Sequence, residues 1–127
     1  MCRIALGLLL LFSVSCWDGK TSAPGPTQLV NVDRGEAFDV YIGRDKEWGA
    51  DTRWGNPFHI GPDGTREEVI VKYRNWILQQ PELLAALPML EGKILGCHCK
   101  PEACHGDVLL ELLKEARQTA GRASESN

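Results

Sequence analysis

The sequence predicts a single small α/β domain: a three-stranded mixed sheet with a hairpin, a crossover helix pair and a C-terminal helix. Three features carry this prediction: two short β-prone runs at 29–32 and 38–42, an amphipathic helical pattern after Thr65, and an apolar run near 93–99 leading into a second apolar helix. The 127 residues, 43% of them hydrophobic and 24% charged, suit one modest core. A formal charge of -3 excludes a surface built to hold duplex nucleic acid, although the local cluster Arg44, Lys46 and Arg53 suits a single phosphate.

The amino terminus precedes the domain. Arg3 is followed by an apolar run over 4–14, with Ser13 and Ser15 at the two positions a signal peptidase reads, so residues 1–15 have the form of a secretory signal. That run is too short to span a membrane stably, and no transmembrane span is expected in the mature domain. Cleavage after Ser15 would expose Cys16 and allow a lipid anchor. A mis-assigned start codon ahead of a cytoplasmic domain gives the same prefix, so export or anchoring and a cytoplasmic location both stay open. Residues 16–27, rich in Gly, Ser, Thr and Pro, read as a linker.

The domain is expected over 28–117. The runs 29–32 and 38–42 are separated by Asp33, Arg34, Gly35 and Glu36, a composition that suits a hairpin-like turn. Residues 44–64 are too irregular for an element and too aromatic for an idle linker; Trp48, Trp54 and Phe58 order a loop that is either a lid on one sheet edge or a ligand-binding wall. Thr65 and Glu68 form a capping box, and Val69, Ile70, Tyr73, Trp76 and Ile77 follow at helical spacing, which predicts a helix from 66 to about 79. Pro81 stops it and opens a short helix over 82–87, closed before Pro88. Ile94 and Leu95 then read as a strand buried on both faces, parallel to the second strand through a right-handed crossover. The last helix is expected from about 102 to 117, with Val108, Leu109, Leu112, Leu113 and Ala116 as its core stripe and 118–127 as a disordered tail.

Chemistry concentrates where that strand meets that helix. Cys97, His98, Cys99, Cys104, His105 and Asp107 fall at a junction of the kind where α/β folds collect ligands. Cys97 and Cys99 share a strand face, and Cys104 shares the buried helical stripe with Val108 and Leu112, so three sulfurs can converge. One outcome is a zinc site of Cys97, Cys99 and Cys104 completed by His105 or His59, although the spacing departs from the common knuckles. A second is a reactive Cys104 thiolate, favoured by the helix amino end, His105 and Lys100. The third is three small buried apolar groups, or a disulfide if the protein is exported. First-turn amides at His105, Gly106 and Asp107 would bind an anion, with Gly106 allowing close approach, and Arg44 after the second strand would contact a phosphate or carboxylate. Asp107 also suits the helix dipole with no other role.

The segments Val40-Tyr41-Ile42-Gly43-Arg44, Trp54-Gly55-Asn56-Pro57-Phe58 and Leu95-Gly96-Cys97-His98-Cys99-Lys100-Pro101-Glu102-Ala103-Cys104-His105-Gly106-Asp107-Val108-Leu109 resemble a small bacterial and phage domain family of unknown function, over about 28–116. The resemblance implies that Arg44, Trp54, Asn56, Cys97, Cys99, Cys104, His105 and Asp107 belong to one pattern. His98 departs from it, because that family usually carries an aromatic between the first two cysteines. Members of the family are mostly intracellular, which runs against export.

The expectation is therefore a domain that binds or acts on a small anionic, nucleotide-like ligand. Arg44, Trp54, Asn56, Cys99, Lys100 and Gly106 would bind it, Cys104 would be the nucleophile, His105 its base or orienter, and Asp107 part of the same site. Two alternatives are a zinc-stabilised interaction module without catalysis and a phage or mobile-element accessory protein that binds a host protein.

Overall fold

The computed structural model describes residues 25–48 and 51–126; the signal-like segment and most of the linker lie outside them. Three strands, β1 (Gln28–Asn31), β2 (Val40–Tyr41) and β3 (Ile94–Cys97), form a sheet in the order β1-β3-β2. Both outer strands run parallel to β3, with Leu29 and Val40 each opposite Leu95. The sheet is therefore wholly parallel. The expected mixed sheet and its hairpin are corrected here.

The local reason lies after β1. Asn31 caps a 3₁₀ turn over Val32–Arg34, its side chain accepting the Asp33 amide, and Gly35 ends the turn at a positive φ of 72°. The chain then crosses one face of β3 instead of folding back beside β1. It passes directly over Gly96, where an added Cβ would lie 2.7 Å from Val32 Cγ1 and 2.8 Å from Phe38 Cγ. A strand residue without a side chain lets this short connection hug the sheet and reach β2, so no helix is needed for the crossover.

The opposite face carries the helices. Helix α1 (Arg66–Ile77) opens with the expected Thr65–Glu68 capping box, and its Val69, Tyr73 and Ile77 are buried. Helix α2 (Pro81–Ala86) passes directly into a 3₁₀ turn (Leu87–Leu90) that contains Pro88. The proline ended the α-helix without ending helical geometry. Helix α3 (His105–Glu125) buries Val108, Leu109, Leu112 and Leu113. It begins later than expected, because Cys104 takes an extended conformation and caps it, and it continues well past Arg117 as an exposed helix, so the expected tail is helical through Glu125.

Ile42, Leu95 and Leu109, all fully buried, centre a core shared by the sheet, α1 and α3. Ion pairs from Arg74 to Glu111 (3.1 Å) and Glu115 (2.8 Å) join the outer surfaces of α1 and α3. Among the described residues no helix is long and apolar enough to cross a membrane.

Candidate functional site

Beyond the carboxyl ends of β2 and β3 lies a concavity of about 240 Å³. Arg44, just after β2, forms one side, Asn56, Phe58 and Ile60 from the long loop form another, and Arg66, Val69 and Ile70 close it from the start of α1. Its floor is Cys97, His98, Cys99, Cys104 and His105. Arg44, Asn56, Cys97, Cys99, Cys104 and His105 thus meet, as expected from a strand-to-helix junction.

Hydrogen bonds hold the walls. Asn56 is only 8% exposed; its amide donates to the Val69 carbonyl (3.1 Å), and its Oδ1 accepts the Phe58 amide (2.9 Å). Arg44 Nη1 donates to the Asn56 (3.1 Å) and Phe58 (3.3 Å) carbonyls. The loop is therefore clamped to both β2 and α1. On the floor, the Asn31 side chain donates to the Lys100 and His98 carbonyls, which fixes the turn between β3 and α3.

The thiols form a connected cluster. Cys104 Sγ donates to Cys97 Sγ at 3.2 Å, both side chains are buried, and Cys99, half-buried, lines the same cavity floor. The neighbouring Cys104 and Cys97 thiols, together with Arg66, hold the Cys99 thiol well below the ordinary cysteine value. Cys104 moves the opposite way, because the neighbouring Cys97 and Cys99, together with burial, favour the protonated thiol. His105 Nε2 lies 2.6 Å from the Ile42 carbonyl, which can only accept, so Nε2 carries the proton and Nδ1 faces Cys104 Sγ at 3.6 Å as an acceptor.

Burial against the core, with the Tyr73 ring edge-on at a centroid distance of 5.0 Å, holds His105 below the usual histidine value despite its hydrogen bond to Ile42. The unfolded chain consequently takes up this proton first as pH falls. The stability due to neutral His105 is complete above about pH 6.5 and is lost as pH drops below that value, with a slope of at most about 1.4 kcal/mol per pH unit. Urea unfolding at pH 7.5 and 5.5 should show a larger loss for the native chain than for His105→Gln. Equal losses would rule out this origin.

Four expected ligand or catalytic positions lie elsewhere. Trp54 is 4% exposed within the core, where its carbonyl accepts the Tyr73 hydroxyl (2.8 Å). Lys100 turns away from the cavity to pair with Asp107 (2.6 Å), whose other oxygen accepts the Cys104 amide (2.9 Å) to complete the cap of α3. Gly106 does not admit a ligand: a Cβ there would lie 2.6 Å from Leu29 Cδ2 and 2.8 Å from Ile42 Cδ1, so its bareness serves helix-on-sheet packing. The Gly106 amide donates to Cys104 Sγ (3.4 Å) and the Asp107 amide to the Cys104 carbonyl (3.0 Å), which removes two of the three amides expected to bind an anion.

The zinc set also meets a geometric objection. Among the described residues no group of three or more His, Cys, Asp or Glu side chains is arranged to hold a metal ion. Sulfurs sharing a tetrahedral zinc at about 2.3 Å would sit about 3.8 Å apart, whereas Cys97 and Cys104 are closer and hydrogen-bonded.

Arg66 was missed in the sequence, and Phe58 and His98, named there in the aromatic loop and the junction cluster, were given no place among the binding residues. Arg66 pairs with Glu102 (2.8 Å) and donates to the Ala103 carbonyl (3.1 Å), tying the start of α1 to the turn before α3. A cation in the first turn of a helix opposes the dipole, and that mismatch was the available signal. His98 is held by Asp33 (2.9 Å) and the Tyr41 hydroxyl (2.9 Å). No single-residue pattern could have revealed its partners, because they come from two other segments.

The family described as domain of unknown function (DUF4326) matches residues 27–115. The uncharacterized protein R718 of Acanthamoeba polyphaga mimivirus is 38% identical over 88 residues, covering 60% of this chain and 67% of that protein. An uncharacterized 12.4 kDa protein in the nrdA-td intergenic region of Enterobacteria phage T4 is 36% identical over 81 residues, covering 60% of this chain and 68% of that protein. No solved structure matches the chain.

Proposed function

We propose, for a chain that belongs to the family of domains of unknown function DUF4326, that the pocket binds a small anionic ligand, or the anionic end of a larger one, and presents Cys99 to it. The observation that carries this reading is the convergence of Arg44 and Arg66, from the end of β2 and the start of α1, on one cavity of about 240 Å³. That volume lies below the usual range for drug-sized ligands, which favours a small metabolite. Guanidinium groups match phosphate and carboxylate oxygens through parallel N–H bonds. Phe58, in place of the buried Trp54, offers the apolar face on which a base would rest. Where the ligand is chemically changed, the nucleophile is Cys99, because Cys104 is sealed and holds its proton while Cys99 opens to the cavity.

Calorimetric titration tests this reading with adenosine monophosphate, inorganic phosphate and uncharged adenosine. The monophosphate and phosphate should bind, adenosine should bind far more weakly, and Arg44→Gln should weaken the monophosphate by about ten- to a hundredfold, the loss of one or two charge-assisted hydrogen bonds. Adenosine binding as tightly as its monophosphate, or an unchanged Arg44→Gln variant, would remove the anion-binding reading.

A further inference from the structure

We propose that Cys99 and Cys104 form a thiol–disulfide exchange centre at the floor of this pocket, Cys99 attacking and Cys104 resolving, on a small disulfide bearing negative charge. The charge of the substrate rests on the anion-binding reading above; the exchange chemistry rests on the sulfurs. Three thiols from the end of β3, the following turn and the cap of α3 meet on one cavity floor, where Cys104 donates to Cys97 at 3.2 Å and only Cys99 is part-exposed. Cysteines serving as apolar filler would have no reason to converge beneath two guanidinium groups on an open cavity.

The steps balance as follows. The Cys99 thiolate attacks one sulfur of the incoming disulfide, forming a mixed disulfide and releasing the first thiolate. Cys104 then passes its proton to His105 Nδ1, 3.6 Å away, and attacks Cys99 Sγ. The Cys99–Cys104 bond forms as the second thiolate leaves and takes the proton from His105. Two electrons pass from the cysteine pair to the substrate, which leaves as two thiols, one of them ionised. Cys97 accepts the Cys104 hydrogen bond and is not consumed.

The test uses the full chain with Cys2→Ser and Cys16→Ser, so that only the clustered thiols remain, treated with glutathione disulfide and read by mass spectrometry after protease digestion. The parent should lose two hydrogens through a bridge between Cys99 and Cys104. Cys104→Ser should stall with one glutathionyl group on Cys99, Cys97→Ser should behave as the parent, and Cys99→Ser should lower the initial rate at least about tenfold. Serine is a favoured helix cap, so the Cys104→Ser variant keeps the start of α3, and circular dichroism checks it. A glutathionyl group on Cys97 instead of Cys99, or no bridge in the parent, overturns the proposal. Uncharged bis(2-hydroxyethyl) disulfide separates the two readings. If it bridges the parent as fast as glutathione disulfide does, the exchange centre stands and the anion reading falls; if phosphate binds but neither reagent forms a bridge, the exchange centre falls alone.

Discussion

Cys99 is expected to react with iodoacetamide at neutral pH at least about tenfold faster than Cys97 or Cys104 in the folded protein. Access decides the ratio: Cys97 and Cys104 are each 1% exposed, whereas Cys99 is half-buried on the cavity floor. Ionisation decides the pH profile. An ordinary thiol loses about tenfold in rate for each pH unit below its pKa, but a thiol held as thiolate by its neighbours keeps a nearly flat rate. Labelling of Cys99 should therefore change little between pH 8 and 6, and Arg66→Gln should make it steeper by removing one stabilising contact. Tryptic mapping of the label at each pH would decide the matter. Preferential labelling of Cys104, the residue at the helix start, would restore the simpler expectation drawn from the sequence.

The largest expected effect on stability is that of Leu109→Ala. Leu109 is fully buried in the core between α3 and the sheet. Removing its branched end forfeits transfer energy and leaves a cavity that α3 can close only by moving toward the sheet, against which Gly106 is already packed at Leu29 and Ile42. The loss should be about 2–5 kcal/mol, a large part of the total stability of a domain this size. Urea unfolding measures it, with Met89→Ala as control: Met89 is 71% exposed, and its truncation should change stability by less than about 0.5 kcal/mol. A Leu109→Ala variant as stable as that control would contradict the placement of α3.

Much of the architecture was legible because its signals are local. Thr65 and Glu68 close the capping box in the structure, and the stripe from Val69 to Ile77 lies inward, because a helical repeat declares its buried face within a few turns. Cys104 is buried beside Val108 and Leu112 as the spacing suggested, but as the extended cap of α3 and not as part of its helical stripe. The turn after β1 was misread for the same reason that it works. Asp33 to Glu36 has the composition of a hairpin, and the decisive feature, Gly96 opening a path across β3, lies far along the chain. No window around the turn contains it.

What the sequence alone determined is the α/β class, the helices and the meeting of Arg44, Asn56 and the three cysteines at one sheet edge, since strand alternation and helical spacing are set by neighbouring residues. What only the tertiary structure decided is which groups remain free to act there. Trp54 went to the core, Lys100 and Asp107 to each other, and the first-turn amides to the cap, while Arg66 came in from a distant segment and His98 was tied to Asp33 and Tyr41 from two others. The thiol that faces the cavity changed on the same ground: Cys104 lies at the helix start in the sequence, but packing seals it and leaves Cys99 part-exposed. Burial and hydrogen-bond partnership are properties of contacts between segments, and a linear pattern holds the donors and acceptors without stating which of them will be spent on one another.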